Sequence, residues 1–290
     1  MEYCGSGVWY TVLMNTEADI SIVKASGKKQ AFDSDKFLGS LISAGADTKT
    51  AETIVDHITE ELRDGMSTDQ IFRHAFFLLE KAQKPVAVRY SLRRAVMELG
   101  PSGFPFEKFI AEILKQKGYE VLTDQHVLGE CVQHEIDVIA WNENKLIMAE
   151  AKFHNELGVK SDLKVALYVK ARVDDLKGVK YNYGKERYVD EGWLITNTKF
   201  TETAIHYGEC KGLTLIGWNY PEKGNLQDMI NDSGLHPITC LTTLTASQKK
   251  SLLSQGIVLC KTLKEDPRVL LSIGMNESKS KIILEEINSL

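Results

Sequence analysis

Asp137, Glu150 and Lys152 are the residues whose types and spacing could do chemistry. The segment KLIMAEAKF at 145–153 is apolar until Glu150 and Lys152. Successive side chains of a strand alternate between faces, so Glu150 and Lys152 share one face while Ala149, Ala151 and Phe153 take the other. The segment IDVIAW at 136–141 reads as the preceding strand, and Asn142–Asn144 as a short polar turn, which lays Asp137 beside the pair. Charges in otherwise apolar strands are expensive unless paired or bound to metal. Two carboxylates suit a hard divalent cation and leave positions for water and phosphate. Such an ion polarises a phosphoryl oxygen and lowers the pKa of a bound water, and a neighbouring lysine steadies developing charge or orients the attacking water. An isolated Glu-x-Lys also fits a structural ion pair at a sheet edge. His134 and His154 flank the group, either as ordinary polar residues or in a catalytic role.

The elements that must position these residues are legible around them. FEKFIAEILKQK at 106–117 predicts a helix ended by Gly118, and YEVLT a strand. After 145–153 come a long helix at about 160–177, a strand at 193–196, a helix at about 200–209 and a strand at 213–218. Helices alternating with apolar strands predict an α/β domain whose sheet is covered on both faces. Upstream, ISIVK at 20–24, the turn SGKKQ and a return near Ala31–Phe32 predict a small hairpin. Four helices follow, beginning near Asp35 and spanning about 48–63, 68–83 and 86–98. GPSGFP at 100–105 is the clearest break and reads as a linker between domains. Residues 1–19 read as an extension. Residues 223–290 read as a connection and a small helical region broken by Gly256 and Gly274.

The order of a helix with Glu107, a strand, Asp137, a hairpin, Glu150-Ala151-Lys152 and a helix resembles the PD-(D/E)XK nuclease superfamily. The likeness is greatest to the Mrr-like restriction endonucleases, through FEKFIAEILKQKGYEV, HEIDVIA, AEAKF and LITNTKFTETAIHYGECKGLTLIGWNYP. The resemblance covers 106–222. It implies a nuclease sheet flanked by helices, Asp137 and Glu150 as ligands of Mg2+ or Mn2+, Lys152 as the catalytic lysine and Glu107 as an additional acid. Ile136 stands where the motif name has proline.

In the first hundred residues Lys24, Lys28, Lys29 and Lys36 cluster around the hairpin turn and first helix, a group that meets either phosphates or solvent. VKASGKKQAFDSDK, DHITEELRDGMSTDQI and PVAVRYSLRRAV resemble the ATP-cone, the allosteric nucleotide module of ribonucleotide reductases and the NrdR repressor, over 20–99. The resemblance implies an ATP or dATP effector held by Val23, Lys24, Gln30, Asp33, Lys36, His57, Arg89 and Tyr90. Ala25 replaces an arginine frequent in that family. No GxxxxGK[ST] is present, so the expected role is sensing rather than hydrolysis.

Composition sets bounds on the rest. A net charge of −5 does not advertise a nucleic-acid binder, yet residues 160–187 hold eight basic side chains against four acidic ones. That run is either a phosphate-facing patch or a solvated helix face. Five scattered cysteines without CxxC argue against a disulfide framework or a zinc knuckle. No apolar run is long enough to span a bilayer and no signal-peptide pattern opens the chain, which points to the cytoplasm. The last helices resemble helix-hairpin-helix DNA-binding modules, with Lys249, Lys250, Lys279 and Lys281 suited to phosphate, and equally fit a packing tail. The combined expectation is a nucleotide-regulated, metal-dependent, homo-oligomeric DNA endonuclease of restriction or phage-defence type. A nucleotide-responsive DNA-binding regulator with an inactive nuclease fold, and an RNA or single-strand nuclease, are the competing readings.

Overall fold

The computed structural model describes residues 20–24, 27–156 and 158–290; the extension expected at 1–19 lies outside them. The first unit is a two-stranded hairpin, β1 (Ser21–Val23) and β2 (Lys29–Ala31), followed by α1 (Ser34–Ser43), α2 (Thr48–Glu61), α3 (Thr68–Ala82) and α4 (Lys84–Met97). Three helix starts are capped by side chains. Asp33 accepts the Lys36 N–H, Asp47 the Thr50 N–H, and Ser67 forms a reciprocal box with Gln70. Gly65, at φ 81°, turns the chain after α2, and its N–H reaches the Ser21 carbonyl at 2.8 Å. Ile22, Phe37, Leu41, Ile54, Ile58 and Leu79 form the core of this unit.

The central domain begins with α5 (Phe104–Gln116), two residues before the expected start. Then come β3 (Glu120–Leu128), β4 (Gln133–Trp141), β5 (Leu146–Lys152), β6 (Lys160–Ser161) and α6 (Leu163–Lys177). Asp162 caps α6 by accepting the Lys164 and Val165 N–H groups, so 160–162 is not helical as the sequence suggested. The remainder is β7 (Tyr181–Tyr183), β8 (Lys185–Arg187), β9 (Glu191–Thr196), β10 (Lys199–Phe200), α7 (Glu202–Lys211) and β11 (Thr214–Ile216). The main sheet has the order β11-β9-β5-β4-β3, parallel across β11, β9 and β5 and antiparallel across β5, β4 and β3. Fully buried Phe106, Phe109 and Ile110 of α5 pack on Val138, Ala140, Ile147 and Ala149. Leu176 of α6 packs on the opposite face with Ile139, Leu146 and Met148. The sheet is thus mixed and covered by helices on both faces. The extension of β3 beyond YEVLT was hidden in sequence because TDQH is polar. One face of that strand is solvated, and alternation there is weak.

The carboxy-terminal part comprises α8 (Leu226–Ser233), a 3-10 turn at Ile238–Cys240, α9 (Ala246–Ser254), α10 (Cys260–Glu265), α11 (Arg268–Ser272) and α12 (Glu277–Asn288). Its buried Glu286 accepts hydrogen bonds from the backbone and hydroxyl groups of both Thr242 and Thr243. Gly256 and Gly274 supply left-handed turns between short helices, as the sequence suggested. Phosphate contact at the first turn is less suited than expected. Lys249 donates to the Thr239 carbonyl at 2.6 Å and pairs with Glu98, and a Cβ on Gly256 would lie 2.6 Å from the Lys108 Nζ.

Helix α4 contributes to three separate cores. Val86 and Ala87 enter the first, Leu92 and Val96 the nuclease-sheet core, and Val88 and Ala95 the carboxy-terminal core. A helix apolar on several faces has to be enclosed, because every exposed face loses burial. Leu92→Ala is therefore expected to cost about 2–5 kcal/mol. The whole chain is expected to melt in one calorimetric transition. Separate transitions for residues 20–99 and the rest would contradict this shared helix.

Candidate active site

The β4–β5 ladder runs in register to Val138↔Ala149 and stops there. Asp137 and Glu150 are the next opposed positions, where the strands part. The Asp137 Oδ2 takes the freed Ala151 N–H at 2.7 Å. Strand β9 holds β5 from the other side, with Glu150↔Leu194 and Lys152↔Thr196 in register. Lys152 is exposed, two residues along the same face as Glu150. Glu107 projects from the first turn of α5. The structure thus brings Glu107, Asp137 and Glu150 within electrostatic reach of one another from one helix and two strands, with Lys152 two residues further along the face of Glu150.

The electrostatics of the group are those of crowded acids. Burial, then the charges of Asp137, Asp124 and Glu150, push the Glu107 carboxyl up to about 7. Burial and the Glu150 charge push Asp137 up to about 6, against the pull of the Ala151 N–H and Arg172. Both folded values exceed the ordinary carboxylate values of 4.5 and 3.8. The folded chain therefore binds more protons than the unfolded chain over this window. Their contribution is fully present below about pH 4 and is lost as pH rises through about 6–7. Half-buried His154 and His236, both held down by desolvation, act with the opposite sign, so the test is the difference between wild type and Asp137→Asn in urea without divalent cations. Wild type is expected to lose stability relative to the variant between about pH 5 and 8, and saturating Mg2+ to shrink that change. A difference that does not change with pH would contradict the crowding.

Two contributors were not singled out from sequence. Arg172 of α6 donates to Glu150 and lies over the Tyr168 ring at 4.7 Å. Asp124 of β3 falls opposite Asp137, between the pairs Thr123↔Val138 and Gln125↔Ile136, with a left-handed φ of 55°. Asp124 had no apolar neighbours to mark it, and Arg172 was one charge in a basic run. The flanking histidines have structural partners. His134 lies 2.7 Å from Asp175, whose carboxyl this contact and the Cys131 thiol hold down at about 2. His154 lies 2.9 Å from the Ser161 hydroxyl.

The residues expected around a nucleotide divide. Gln30, Asp33, Lys36 and Tyr90 line one cavity of about 360 Å3, together with Phe72, Arg93 and Arg94. Tyr90 stacks on Phe72 at 5.0 Å, and the Arg94 guanidinium lies over the Phe72 ring 3.7 Å from its centroid. Burial pushes the Tyr90 hydroxyl up to about 12. Arg93 is largely desolvated and its Nε has no partner among the described residues. Burial and then the charges of Arg93, Lys36, Lys160 and Lys24 lower Lys199 of the central domain, so cations from both units converge. Val23, Lys24, Arg89 and His57 do not line the cavity. Val23 anchors the hairpin through the Met66 carbonyl, and the Arg89 Nε is spent on the Ala44 carbonyl at 2.7 Å. His57 faces Glu61 at 3.5 Å. A larger cleft of about 820 Å3, between the 99–105 connection and α9, holds none of the four candidate active-site residues.

A helix-flanked mixed sheet with acids and a lysine at parting central strands defines a restriction-endonuclease-like nuclease fold. Residues 100–219 match the family described as restriction endonuclease, and residues 236–290 match the family described as AF1548-like, C-terminal. An uncharacterized protein of Archaeoglobus fulgidus is 35% identical over 178 residues, covering 61% of this chain and 97% of that one. The crystal structure of the protein of unknown function AF1548 superposes with a TM-score of 0.53 at 33% identity, over 64% of this chain and 97% of that one. The chain belongs to the AF1548-like family. Can2 from Sulfobacillus thermosulfidooxidans, solved in complex with cyclic tetra-adenylate, aligns at 11% identity and a TM-score of 0.33, over 69% of this chain and 54% of that one, too low to carry an argument. The AF1548-like, C-terminal match falls on the helices for which the sequence suggested a helix-hairpin-helix-like region. Among the described residues no helix is long and apolar enough to cross a membrane.

Proposed function

We propose that this chain is a divalent-metal-dependent DNA endonuclease governed by an adenine nucleotide, ATP or dATP, bound in its first unit. The observation that carries the nuclease reading is the parting of β4 and β5, which opposes Asp137 to Glu150 with Lys152 beside them. The donor set fits a hard cation: it is all oxygen, and neighbouring acids push up both Asp137 and Glu107, a site short of positive charge. Asp137 and Glu150 would hold Mg2+ or Mn2+, which supplies Lewis acidity and charge neutralisation at the scissile phosphate. Lys152 donates to the phosphoryl oxygens as charge builds on them. Glu107, titrating near neutrality, accepts the proton lost by the attacking water. Arg172 holds Glu150 in place.

The nucleotide reading rests on the cavity. Phe72 and Tyr90 offer an aromatic wall, and Lys36 and Arg93 offer charge for phosphates, while Arg94 is paired with Asp69 at 2.6 Å. Two contacts give its occupancy a way to reach the active site. The Asn197 amide touches the Met97 Sδ at the end of α4 and the His154 carbonyl just beyond Lys152. Asn155 donates to the Pro101 carbonyl. A homo-oligomer would place two such sites on two strands. Plasmid nicking with Mg2+, with and without ATP or dATP, tests both parts. Cleavage that ignores nucleotide would remove the regulatory part alone.

One observation favours a second reading, a nucleotide-responsive DNA-binding regulator. Arg172 already supplies a positive charge to Glu150, as it would in a metal-free site. Tight duplex binding without any cleavage in Mg2+ or Mn2+ would select that reading.

A further inference from the structure

We propose that His57, Glu61 and His74 form a binding site for a divalent transition-metal ion of the zinc class, clipping α2 to α3. His57 and Glu61 lie one turn apart on α2, and His74 faces them from the middle of α3. The His57 Nε2 is 3.5 Å from the Glu61 Oε1, and the His74 Nδ1 is 3.2 Å from the Glu61 Oε2. All three ligand atoms lie within 4.8 Å of one another. Bonds of about 2.0–2.1 Å to a tetrahedral ion place ligand atoms about 3.3 Å apart, and each imidazole stands near that distance from one of the two Glu61 oxygens. The same separations suit hydrogen bonds less well. The His57 contact is beyond the usual N–H···O range, and the His74 contact is at its outer edge. The two imidazoles meet edge to face, with centroids 5.2 Å apart and planes at 77°, so the rings do not stack over one another.

The ligand chemistry selects the ion. Two imidazoles and one carboxylate suit zinc and its neighbours, whereas magnesium and calcium prefer all-oxygen sets. The side chains are 44%, 52% and 31% exposed, so solvent water can complete the coordination. The site lies apart from the Asp137–Glu150 pair and shares no residue with the cavity lining. Its consequence passes through α3. Ile71 and Phe72 of that helix line the cavity, and fixing α3 against α2 fixes that wall.

The test uses full-length protein carrying Asp137→Ala, stripped with chelator, so that the nuclease carboxylates do not compete. Titration with Co2+ is expected to give the intense visible bands of a low-coordinate imidazole site, saturating at one equivalent and erased by Zn2+. Adding His57→Gln and His74→Gln is expected to weaken binding by more than about 100-fold, since even an outer-shell partner is worth up to about that much. Bands that survive both substitutions, or a weak six-coordinate spectrum before them, would overturn the proposal. X-ray absorption on the Zn2+-loaded Asp137→Ala protein decides the matter even if the histidine variants misfold. Two imidazoles in the first shell support the site, and an all-oxygen shell overturns it.

Discussion

Asp137→Asn, Glu150→Gln and Lys152→Ala are each expected to lower the rate of duplex cleavage by about 10²–10³-fold or more, the usual loss when one preorganised charged group is removed. The first two remove negative charge from the proposed cation site while keeping an oxygen in place. Asp137→Asn is the most informative of the three, because its amide oxygen can still accept the Ala151 N–H now held at 2.7 Å. The loss of rate then cannot be assigned to an orphaned backbone donor. The stability effect should have the opposite sign. A carboxyl pushed up to about 6 opposes folding at pH 8, so Asp137→Asn is expected to be at least as stable as wild type there without metal. An inactive variant with an unchanged or higher Tm would separate chemistry from folding. A variant as active as wild type would remove Asp137 from the site.

Lys36→Ala with Arg93→Ala is expected to weaken ATP or dATP binding by about 100-fold or more, at about 1.5–3 kcal/mol per charged hydrogen bond. Arg89→Ala is expected to change it by less than about threefold, because Arg89 does not line the cavity and its guanidinium is held by the Ala44 carbonyl, so its loss bears on folding stability rather than on the phosphates. The contrast comes from the structure. Lys36 and Arg93 line the cavity, while Arg89 is turned to the Ala44 carbonyl on another side of α4. Resemblance alone pointed to Arg89. Lys199→Ala tests the convergence of the two units. If cations from both meet the phosphates, this variant loses nucleotide affinity although Lys199 lies outside the first unit. Calorimetric titration of full-length variants measures all three. Equal losses from Arg89→Ala and the Lys36/Arg93 pair would place the nucleotide elsewhere.

The sequence carried most of the candidate active site because charge interrupts apolar strands there. KLIMAEAKF makes Glu150 and Lys152 conspicuous, and period-two alternation puts them on one face. Asp137 follows from the hairpin turn at Asn142–Asn144. Arg172 and Asp124 were not legible in the same way. Arg172 reaches Glu150 only because α6 crosses this face of the sheet, which is a tertiary fact. Asp124 is brought opposite Asp137 by a register that continues through a polar strand. Helix starts were legible at Asp33 and Ser67 because short polar caps precede apolar periodicity, and the structure adds Asp47 as the cap of α2. The position 160–162 was misread because Asp162 is itself a cap, and nothing local distinguishes a basic strand end from a first helical turn. GPSGFP reads as a linker, stiffened by its two prolines, and what the sequence does not show is its packing: Asn155 and Phe153 crowd Gly100 so closely that a Cβ there would fall 2.5 and 2.7 Å from them. Lys249 shows the same limit for surface charge. Its sequence neighbours suggest a free cation, and only the fold reveals its bonds to Thr239 and Glu98.

The most direct measurement is the fate of a supercoiled plasmid incubated with full-length protein in Mg2+ or Mn2+ and in chelator, beside Asp137→Asn. Nicked and linear products that need the cation and vanish with Asp137→Asn are the expected result. No cleavage with either cation in the presence or absence of ATP and dATP, or cleavage that survives Asp137→Asn, would contradict a nuclease centred on the parting of β4 and β5.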